Sequence, residues 1–575
     1  MSELRVWAPN VGRMRLLAGG EQRPLVAQKG GWWSTAALPA GTDYAFLLDD
    51  SDEPVPDPAS RWQPHGVHGA SRVYDQSAYR WADSAWKGRD LAGAVIYELH
   101  VGTFTPGASF GSAIERLEHL AALGITHVEL LPVNAVNGVW NWGYDGVAWY
   151  AVHEPLGGPD GLKRFVDACH ARGLAVVLDV VYNHLGPSGN YLPRFGPYLK
   201  SGRNTWGDLV NVEEPAVRRF VIDNALMWLR DYHVDALRLD AVHALQDRSP
   251  IHILAELSAE VDALASSLGR RLTLIAESDL NDPVMITPTA ATPPAQSGYG
   301  LDAQWDDDVH HALHAALTGE TQGYYCDFGS LSVLAKVLTS AFWHDGTYST
   351  FRGRNHGKPV DRATTPGWRF VVCLQNHDQV GNRAVGDRLP ELTSPGLLRV
   401  GAVLLLTTPF TPMLWMGEEW AASTRWPFFT SHPEPELAEA TGRGRVEEFS
   451  RHGWDVDQMI DPQDPEAYRS AILDWSEVGE GAHADVLALY RRLIALRSAE
   501  PDLRDADLTR VRVDYDEHER WLVMHRGAFR VVANLSPQPH ALALDAREVV
   551  LATAAVEIEV GRVSVAAESA AILRV

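Results

Sequence analysis

Three carboxylic acids end or follow apolar runs of the kind that form buried strands. Asp240 ends the run LRLD, Glu277 ends IAE, and Asp378 lies in LQNHD. In glycoside hydrolysis one carboxylate attacks the anomeric carbon while another carboxylic acid protonates the departing oxygen. An isolated acid in such a place is more often a salt bridge or a helix cap. Three of them in this order predict a glycosidase.

The three acids have different predicted roles. Arg238 lies two residues before Asp240, so strand alternation places both side chains on one side, and a guanidinium there favours the ionised form that a nucleophile needs. Glu277 follows an apolar run, where burial and a nearby carboxylate raise a pKa and keep a proton available. Asp378 follows His377, and this pair is predicted to bind sugar hydroxyls and to favour an oxocarbenium-like transition state.

Eight short apolar segments, from Ala94 onward, alternate with polar loops and amphipathic helices. This alternation is typical of parallel strands with crossover helices, and eight such units close a barrel. Because the carboxyl ends of barrel strands share one face, acids remote in sequence reach one substrate there. The predicted strands AVIYELHV, HVELLPV, AVVLDVV, ALRLDAV, LTLIAES, LDAQW, RFVVCLQ and TPMLWM start at Ala94, His127, Ala175, Ala236, Leu272, Leu301, Arg369 and Thr411.

Helices are predicted between most of these strands. One begins after Glu214 with Pro215 in its first turn, and the last runs near Asp485 to Ser498. The fifth and sixth repeats are less regular, and the segment from Asn281 to Gly300, rich in Pro and Thr, is predicted to be a loop that borders the cleft.

Short apolar runs with turn residues replace the helical pattern at both ends of the chain. The predicted fold is therefore α/β, a (β/α)8 TIM barrel flanked by an N-terminal β-sandwich and a C-terminal β-sandwich. The sandwiches are assigned to residues 1–88, which are carbohydrate-binding-like, and 504–575. The catalytic barrel is assigned to 89–503, with a short insertion after the third strand at about 185–212.

The net charge and the cysteines of the chain limit which binding partners and cross-links are expected. The formal net charge of -24 disfavours nucleic acid and anionic membranes, because both repel a strongly acidic protein. The scattered Cys169, Cys326 and Cys373 form neither a disulfide framework nor a metal motif and are predicted to be buried structural thiols. With no signal-like start and no apolar stretch of about 20 residues, we expect a cytoplasmic protein without a membrane partner.

Four segments, DVVYNH, LRLDAVH, IAES and LQNHD, resemble the four signature regions of the α-amylase superfamily, glycoside hydrolase family 13. The resemblance implies retaining cleavage of α-glucosidic bonds. It implies Asp240 as nucleophile, Glu277 as general acid/base and Asp378 as transition-state stabiliser.

Further residues are predicted to bind the sugar. The resemblance implies that Tyr144 of WGYDG stacks on the sugar at the cleavage subsite, helped by Asp145, His184 and Arg238. Because sugar C–H faces pack on aromatic rings, Trp142 and Trp206 in predicted barrel loops are added. The predicted substrate-binding set is Tyr144, Asp145, His184, Arg238, His243, His377, Trp142, Trp206 and Asp279. Glu419, after the eighth strand, is a further candidate for the cleft.

The details around these regions resemble the superfamily members that hydrolyse the α-1,4 bond next to the terminal trehalose unit of maltooligosyltrehalose. The similarity covers nearly the whole chain and implies a neutral glucan substrate, trehalose as product and functional coupling to a maltooligosyltrehalose synthase. A glucan branching enzyme is the alternative, but it typically has two adjacent acids in the third region and Ser before the histidine. Here Ser278 follows Glu277 and Asn376 precedes His377. A non-catalytic glucan-binding barrel is a more distant alternative.

No metal and no cofactor are predicted. His243 and Ala244 stand where α-amylases usually carry a Lys-His pair, so one usual calcium ligand is missing. The loop after His184 supplies only Asp208 before Asn211, which gives too few hard oxygen ligands for a calcium site.

Overall fold

Eight parallel strands close into a barrel at the centre of the chain. The fold is known from a computed structural model, which describes residues 3–290, 297–452 and 459–575. Every barrel strand is buried along its whole length, as expected for strands with helices outside and packed side chains inside. In barrel order the strands are Ile96–Leu99, His127–Leu130, Ala175–Val180, Ala236–Leu239, Thr273–Ala276, Ala303–Trp305, Phe370–Cys373 and Thr411–Trp415. Each predicted segment contains one of them, so the barrel prediction is confirmed.

The strand register decides which side chains meet at the carboxyl face. Arg238 of the fourth strand pairs with Asp179 of the third strand on one side and with Ile275 of the fifth on the other. Asp240 and Glu277 directly follow the last residues of the fourth and fifth strands. Both acids therefore emerge at the carboxyl face of the barrel.

Helices cover the outside of the barrel. Glu214 caps the helix after the third strand through the backbone N–H of Ala216, with Pro215 as the first helical residue, as predicted. The helices of seven or more residues are Leu117–Leu123, Gly158–His170, Pro215–Asp231, Ile253–Leu268, Asp307–Thr318, Leu331–Ser340, Pro395–Thr407, Pro435–His452 and Gly481–Ala499. Shorter helices are Val101–Phe104, Phe110–Ile114, Leu192–Phe195, His377–Gly381, Leu389–Leu392, Pro465–Ser470 and Pro501–Arg504.

The fifth repeat is irregular, as the sequence indicates. Among the described residues between the fifth and sixth strands, the only helical element is the 3-10 turn Pro283–Met285. Residues 291–296 of the predicted loop lie outside the described residues.

In the described parts of the chain, three two-stranded hairpins lie outside the barrel sheet and the terminal sheets. One of them, in the predicted insertion after the third strand, carries Trp206 in its turn. The hairpins are Asn134–Ala135 with Ala148–Val152, Leu199–Arg203 with Asp208–Val210, and Tyr348–Ser349 with Arg354–Asn355.

A sandwich of two antiparallel sheets lies at each end of the chain, which confirms the predicted fold class. In the C-terminal sandwich, Val523 and Val532 of the larger sheet pack in one apolar cluster with Val563 and Val565 of the smaller sheet. The N-terminal sheets contain Glu3–Trp7, Trp32–Ala36 and Val26–Ala27, and Glu21–Pro24, Met14–Ala18, Asp43–Leu48 and Ser71–Arg72. The C-terminal sheets contain Arg512–Asp516, Trp521–Arg526, Phe529–Asn534, Ser569–Arg574 and Glu548–Ala552, and His540–Leu542, Arg562–Val565 and Val556–Glu559. The domain boundaries at residues 88 and 503 stay predictions.

One cysteine departs from its prediction. Cys169 and Cys373 are buried, but Cys326 is exposed because it directly follows a surface 3-10 turn, Gly323–Tyr325. In the parts of the chain that the structure describes, no helix has the length and apolarity needed to cross a membrane.

Candidate active site

A cleft of about 740 Å³ opens at the carboxyl face of the barrel. All of the predicted site residues except Arg238 line it. These are Trp142, Tyr144, Asp145, His184, Trp206, Asp240, His243, Glu277, Asp279, His377 and Asp378. Residues that follow five of the barrel strands, the second, third, fourth, fifth and seventh, thus converge on one cleft.

Arg238 lies fully buried beneath the floor of the cleft. Its Nη1 donates to Oδ2 of Asp179 at 2.6 Å and to Oδ1 of Asp240 at 2.8 Å, and its Nη2 lies 2.9 Å from Oε2 of Glu277. The guanidinium carbon lies 4.2 Å from the ring centre of Trp305, which fills the barrel interior and does not line the cleft. Arg238 is therefore placed to orient the carboxyl groups from beneath the cleft, and its predicted role in substrate binding stays a prediction.

Asp240 is held from two sides. Besides the bond from Arg238, its Oδ2 accepts a 2.7 Å hydrogen bond from Nδ2 of Asn183. Asn183 Oδ1 in turn lies 2.7 Å from Nδ1 of His184, whose Nε2 lies 3.0 Å from the carbonyl oxygen of Tyr144. Two donors to the carboxylate of Asp240 restrict its rotation and aim it into the cleft.

Glu277 contacts the guanidinium group of Arg238, as Asp240 does. Burial raises its pKa well above the ordinary value, although the positive charge of Arg238 opposes this shift. Its Oε2 accepts a 2.7 Å hydrogen bond from the backbone N–H of Ala241. Ala241 has a φ of 41°, a left-handed conformation that is unusual for a residue with a Cβ. Burial thus favours the protonated form of Glu277 beside an ion-paired carboxylate.

On the other side of the cleft, a chain of hydrogen bonds joins Asp179, Tyr144, His377 and Glu98. The hydroxyl of Tyr144 donates to Oδ2 of Asp179 at 2.7 Å and lies 2.8 Å from Nε2 of His377. Nδ1 of His377 lies 2.6 Å from Oε1 of Glu98 in the first strand. The rings of Tyr144 and His377 stack, with centres 5.2 Å apart. Burial raises the pKa of Asp179 to about 6.

His377 gives a pH-dependent contribution to stability. Burial alone lowers its pKa, but the negative charges of Asp378 and Glu98 prevail and raise it to about 9. The stabilisation is then complete below the unfolded pKa of about 6.5 and is lost as the pH rises toward 9. We expect the free energy of unfolding, measured with denaturant, to fall across this window. In His377→Gln, which cannot titrate there, the fall is expected to be smaller; an equal fall would refute the assignment.

Asp378 is more accessible than the other two acids. It lies in the first turn of the short helix His377–Gly381, which Asn376 caps by accepting from the N–H of Gln379. Its Oδ1 accepts a 3.2 Å hydrogen bond from Asn382, and its side chain is 39% exposed. A carboxylate with this much exposure can approach a ligand in the cleft.

Aromatic rings form much of the remaining wall. Trp142 is almost buried and stacks on Trp426, with ring centres 4.4 Å apart. Trp206 is 48% exposed and stacks on His184 at 5.8 Å. Trp206 has the larger free face for packing against a sugar.

The last three predicted sugar-binding residues have polar partners of their own. Asp279 forms a two-point ion pair with Arg352 and accepts 2.8 Å from its Nη1, and the backbone N–H of Asp279 donates to Nδ1 of His243. Asp145 accepts a 2.6 Å hydrogen bond from Asn141. These contacts hold two carboxylates at the cleft wall.

Several cleft residues were not found from the sequence. Asp307 lies two residues after the end of the sixth strand. Asp240 was predicted because residues that follow a barrel strand reach the carboxyl face, and the same argument could have found Asp307. None of the others has a distinguishing local pattern, and all lie in loops or turns except Thr441 and Arg445, which are in the helix Pro435–His452. They are Asn141, Pro187, Thr205, Ala241, Asn382, Phe428, Thr430, His432, Thr441 and Arg445.

Glu419 is not a cleft residue, in contrast to its prediction. Its side chain is fully buried, where Oε1 accepts from the Tyr97 hydroxyl at 3.2 Å and lies 2.8 Å from Nε2 of His119. The 3-10 turn Glu418–Trp420 points it into the protein.

No cluster of three or more His, Cys, Asp or Glu side chains that could hold a metal ion occurs among the residues described. The predicted lack of a metal stays a prediction.

Comparisons with known proteins agree with the barrel and the cleft. A family model described as alpha amylase, catalytic domain, matches residues 107–197, and a model described as a domain of unknown function matches residues 506–573. A malto-oligosyltrehalose trehalohydrolase from Rhizobium sp. (strain M-11) is 54% identical, over 99% of this chain and 97% of that protein. The chain belongs to the malto-oligosyltrehalose trehalohydrolase family.

Two further comparisons accompany this family membership. A malto-oligosyltrehalose trehalohydrolase from Arthrobacter ramosus is 57% identical over 93% of both chains. A crystal structure of a Salmonella typhimurium protein of alpha-amylase description superposes with a TM-score of 0.91 at 35% identity, covering 100% of this chain and 97% of the other. The family is therefore one of glycoside hydrolases of the α-amylase superfamily.

Proposed function

We propose that this member of the family hydrolyses the α-1,4-glucosidic bond next to the terminal trehalose unit of maltooligosyltrehalose, and releases trehalose and a maltooligosaccharide. The observation that carries the proposal is the convergence of Asp240, Glu277 and Asp378 on one cleft. One guanidinium reaches both Asp240 and Glu277, which makes them close neighbours. A separation near 5 Å is typical of retaining glycosidases.

In the first step, Asp240 is the nucleophile. Its carboxylate attacks the anomeric carbon, the glycosidic C–O bond breaks, and a covalent glycosyl-enzyme forms. Glu277 gives its proton to the departing oxygen, which leaves as a hydroxyl of trehalose. Burial supports this role, because it raises the pKa of Glu277 well above its ordinary value and so favours the protonated form.

In the second step, water cleaves the glycosyl-enzyme. Glu277 is now ionised and takes a proton from the water molecule. The oxygen of that water attacks the anomeric carbon, the bond from this carbon to Asp240 breaks, and Asp240 departs as a carboxylate. Asp378 and the hydrogen-bonded pair of His377 and Tyr144 bind sugar hydroxyls and stabilise the oxocarbenium-like transition states. The enzyme returns to its starting protonation state.

The sugar-binding roles rest on the same cleft. We assign the sugar at the cleavage site to Tyr144, Asp145 and His184, with Trp142 as wall. Trp206, His243 and Asp279 are assigned to neighbouring sugars. A neutral oligosaccharide suits a protein of net charge -24, which would repel an anionic one.

Two wider proposals follow from this substrate. An enzyme that converts the reducing end of a maltooligosaccharide into a trehalose unit, a maltooligosyltrehalose synthase, must supply it, so we propose functional coupling to such an enzyme. We also propose that both work in the cytoplasm.

Product analysis tests the function. The enzyme is incubated in parallel with maltotriosyltrehalose and with a maltooligosaccharide of equal length, and the products are separated by chromatography. We expect trehalose and maltotriose from the first, with much slower attack on the second. New α-1,6 linkages would indicate a branching enzyme instead, and equal shortening of both substrates would indicate a general amylase.

A further inference from the structure

Six acids line the cleft, and five of them have a polar side-chain partner. The partnered acids are Asp145 with Asn141, Asp240 with Arg238 and Asn183, Glu277 with Arg238, Asp279 with Arg352, and Asp378 with Asn382. The sixth is Asp307. Within residues 3–290, 297–452 and 459–575, its carboxyl group forms no hydrogen bond and no ion pair, so its bonding capacity is unused.

Asp307 does not cap the helix that it begins, because the acid before it has that role. Asp306 is the cap of the helix Asp307–Thr318 and accepts from the backbone N–H of Asp308. The carboxylate of Asp308 is itself occupied, because it accepts from the backbone N–H groups of Trp343 and His344 at 2.8 and 2.9 Å. Of three consecutive acids, two stabilise the protein and the third faces the cleft.

Asp307 lies on one particular side of the cleft. It follows the sixth strand, which pairs with the fifth, and Glu277 and Asp279 follow the fifth strand. Tyr144 and His184 follow the second and third strands, on the far side of the fourth. If Glu277 protonates the departing oxygen, the departing sugar lies along the wall that Glu277, Asp279 and Asp307 share.

We propose that Asp307 is a further substrate-contacting residue, whose carboxyl group hydrogen-bonds hydroxyl groups of the departing trehalose unit. This inference rests on the proposed function, which defines the departing sugar. A carboxyl group can accept hydrogen bonds from two sugar hydroxyls, and the half-buried site strengthens such bonds. Burial, together with the charges of Asp378 and Asp279, raises the pKa of Asp307 to about 7, so near neutral pH it both accepts and donates.

Trehalose binding, measured by calorimetry, tests this contact. Asp240→Asn serves as the parent, and the double variant Asp240→Asn with Asp307→Ala is compared with it. Since hydrogen bonds to charged groups are strong, we expect the dissociation constant of trehalose to rise roughly tenfold or more. In the otherwise unchanged enzyme, Asp307→Ala is expected to raise KM for maltotriosyltrehalose more than it lowers kcat. Asp307→Asn, which keeps one acceptor, is expected to fall between the two.

Two controls separate contact from structure. Asp262→Asn removes the same charge from an exposed position on an outer helix and is expected to leave trehalose affinity unchanged. Asp308→Asn is expected to lower the melting temperature, because it weakens the bonds to Trp343 and His344, with little effect on trehalose affinity.

The outcomes distinguish the two proposals. If the wild-type enzyme releases no trehalose from maltotriosyltrehalose, the proposed function fails. If it does release trehalose, and a folded Asp307→Ala variant binds trehalose within twofold of its parent, only the contact by Asp307 is overturned. Should the Ala variant not fold, the isosteric Asp307→Asn decides: unchanged trehalose affinity and unchanged KM overturn the inference.

Discussion

Replacing Asp240 with Asn is expected to lower kcat/KM for maltotriosyltrehalose by roughly four orders of magnitude or more. The amide cannot form the glycosyl-enzyme that the proposed mechanism requires. Burial favours the protonated form of Glu277, and Asp179 is bound to Arg238 beneath the floor, so neither is expected to replace the nucleophile. The initial rate of trehalose release, measured against the wild-type enzyme, checks this result.

The Asp240→Asn variant is also expected to fold. Arg238 keeps its bond to Asp179 and its contact with Glu277, so the buried guanidinium is not left without a counter-charge. Asn183 loses one acceptor and retains the carbonyl oxygen of residue 240 at 3.1 Å. A melting temperature close to that of the wild-type enzyme would assign the lost activity to chemistry. Activity within tenfold of the wild type would show that another group is the nucleophile.

The second large effect concerns Glu277→Gln. General acid–base catalysis contributes about 10² to 10⁴ in rate, and we expect a loss of this size on maltotriosyltrehalose. The amide keeps the size of the side chain and can still accept from the N–H of Ala241, but it has no transferable proton. The loss therefore depends on how much the leaving group needs that proton.

A substrate with a better leaving group supplies the matched comparison. From an α-maltosyl fluoride the fluoride ion departs without protonation, so Glu277→Gln is expected to form the glycosyl-enzyme from it much faster than from the natural substrate. Added azide, which needs no general base, is expected to speed turnover of that intermediate. In contrast, Asp240→Asn should gain nothing from the fluoride. Equal losses on both substrates would argue that Glu277 orients Asp240 instead of delivering a proton.

The pH dependence of activity has a predicted direction. Because burial raises the pKa of Glu277 well above its ordinary value, the protonated acid persists to higher pH than an exposed glutamate allows. Activity is therefore retained as the pH rises through the ordinary range of a carboxyl group, and falls only when the raised pKa is passed.

The local sequence predicts the barrel strands because each is a short apolar run between polar loops. A strand that is buried on both faces requires apolar residues at nearly every position, so it is visible in the sequence as such a run. Asp240 and Glu277 follow from the same property, since the residue directly after a barrel strand must reach the carboxyl face. The helix start at Glu214 was also readable, because its cap and Pro215 act within one turn.

Contacts between remote segments were beyond sequence reasoning. Two residues with similar local settings, Glu419 and Asp307, both come shortly after a barrel strand. Glu419 turns into the protein toward Tyr97 and His119, whereas Asp307 faces the cleft. The difference depends on which side chains pack nearby.

By itself, the sequence determined the eight strands, the flanking β-domains and three acids at strand ends, because short-range burial and polarity decide each of them. Only the tertiary structure decided what each polar group touches. It placed Arg238 under the floor with three carboxyl groups and paired Arg352 with Asp279. Among the residues that the structure describes, it left the carboxyl group of Asp307 without a hydrogen-bond or ion-pair partner. The physical reason is that hydrogen bonds and ion pairs need ångström-scale distances between segments far apart in the chain, which no local pattern encodes.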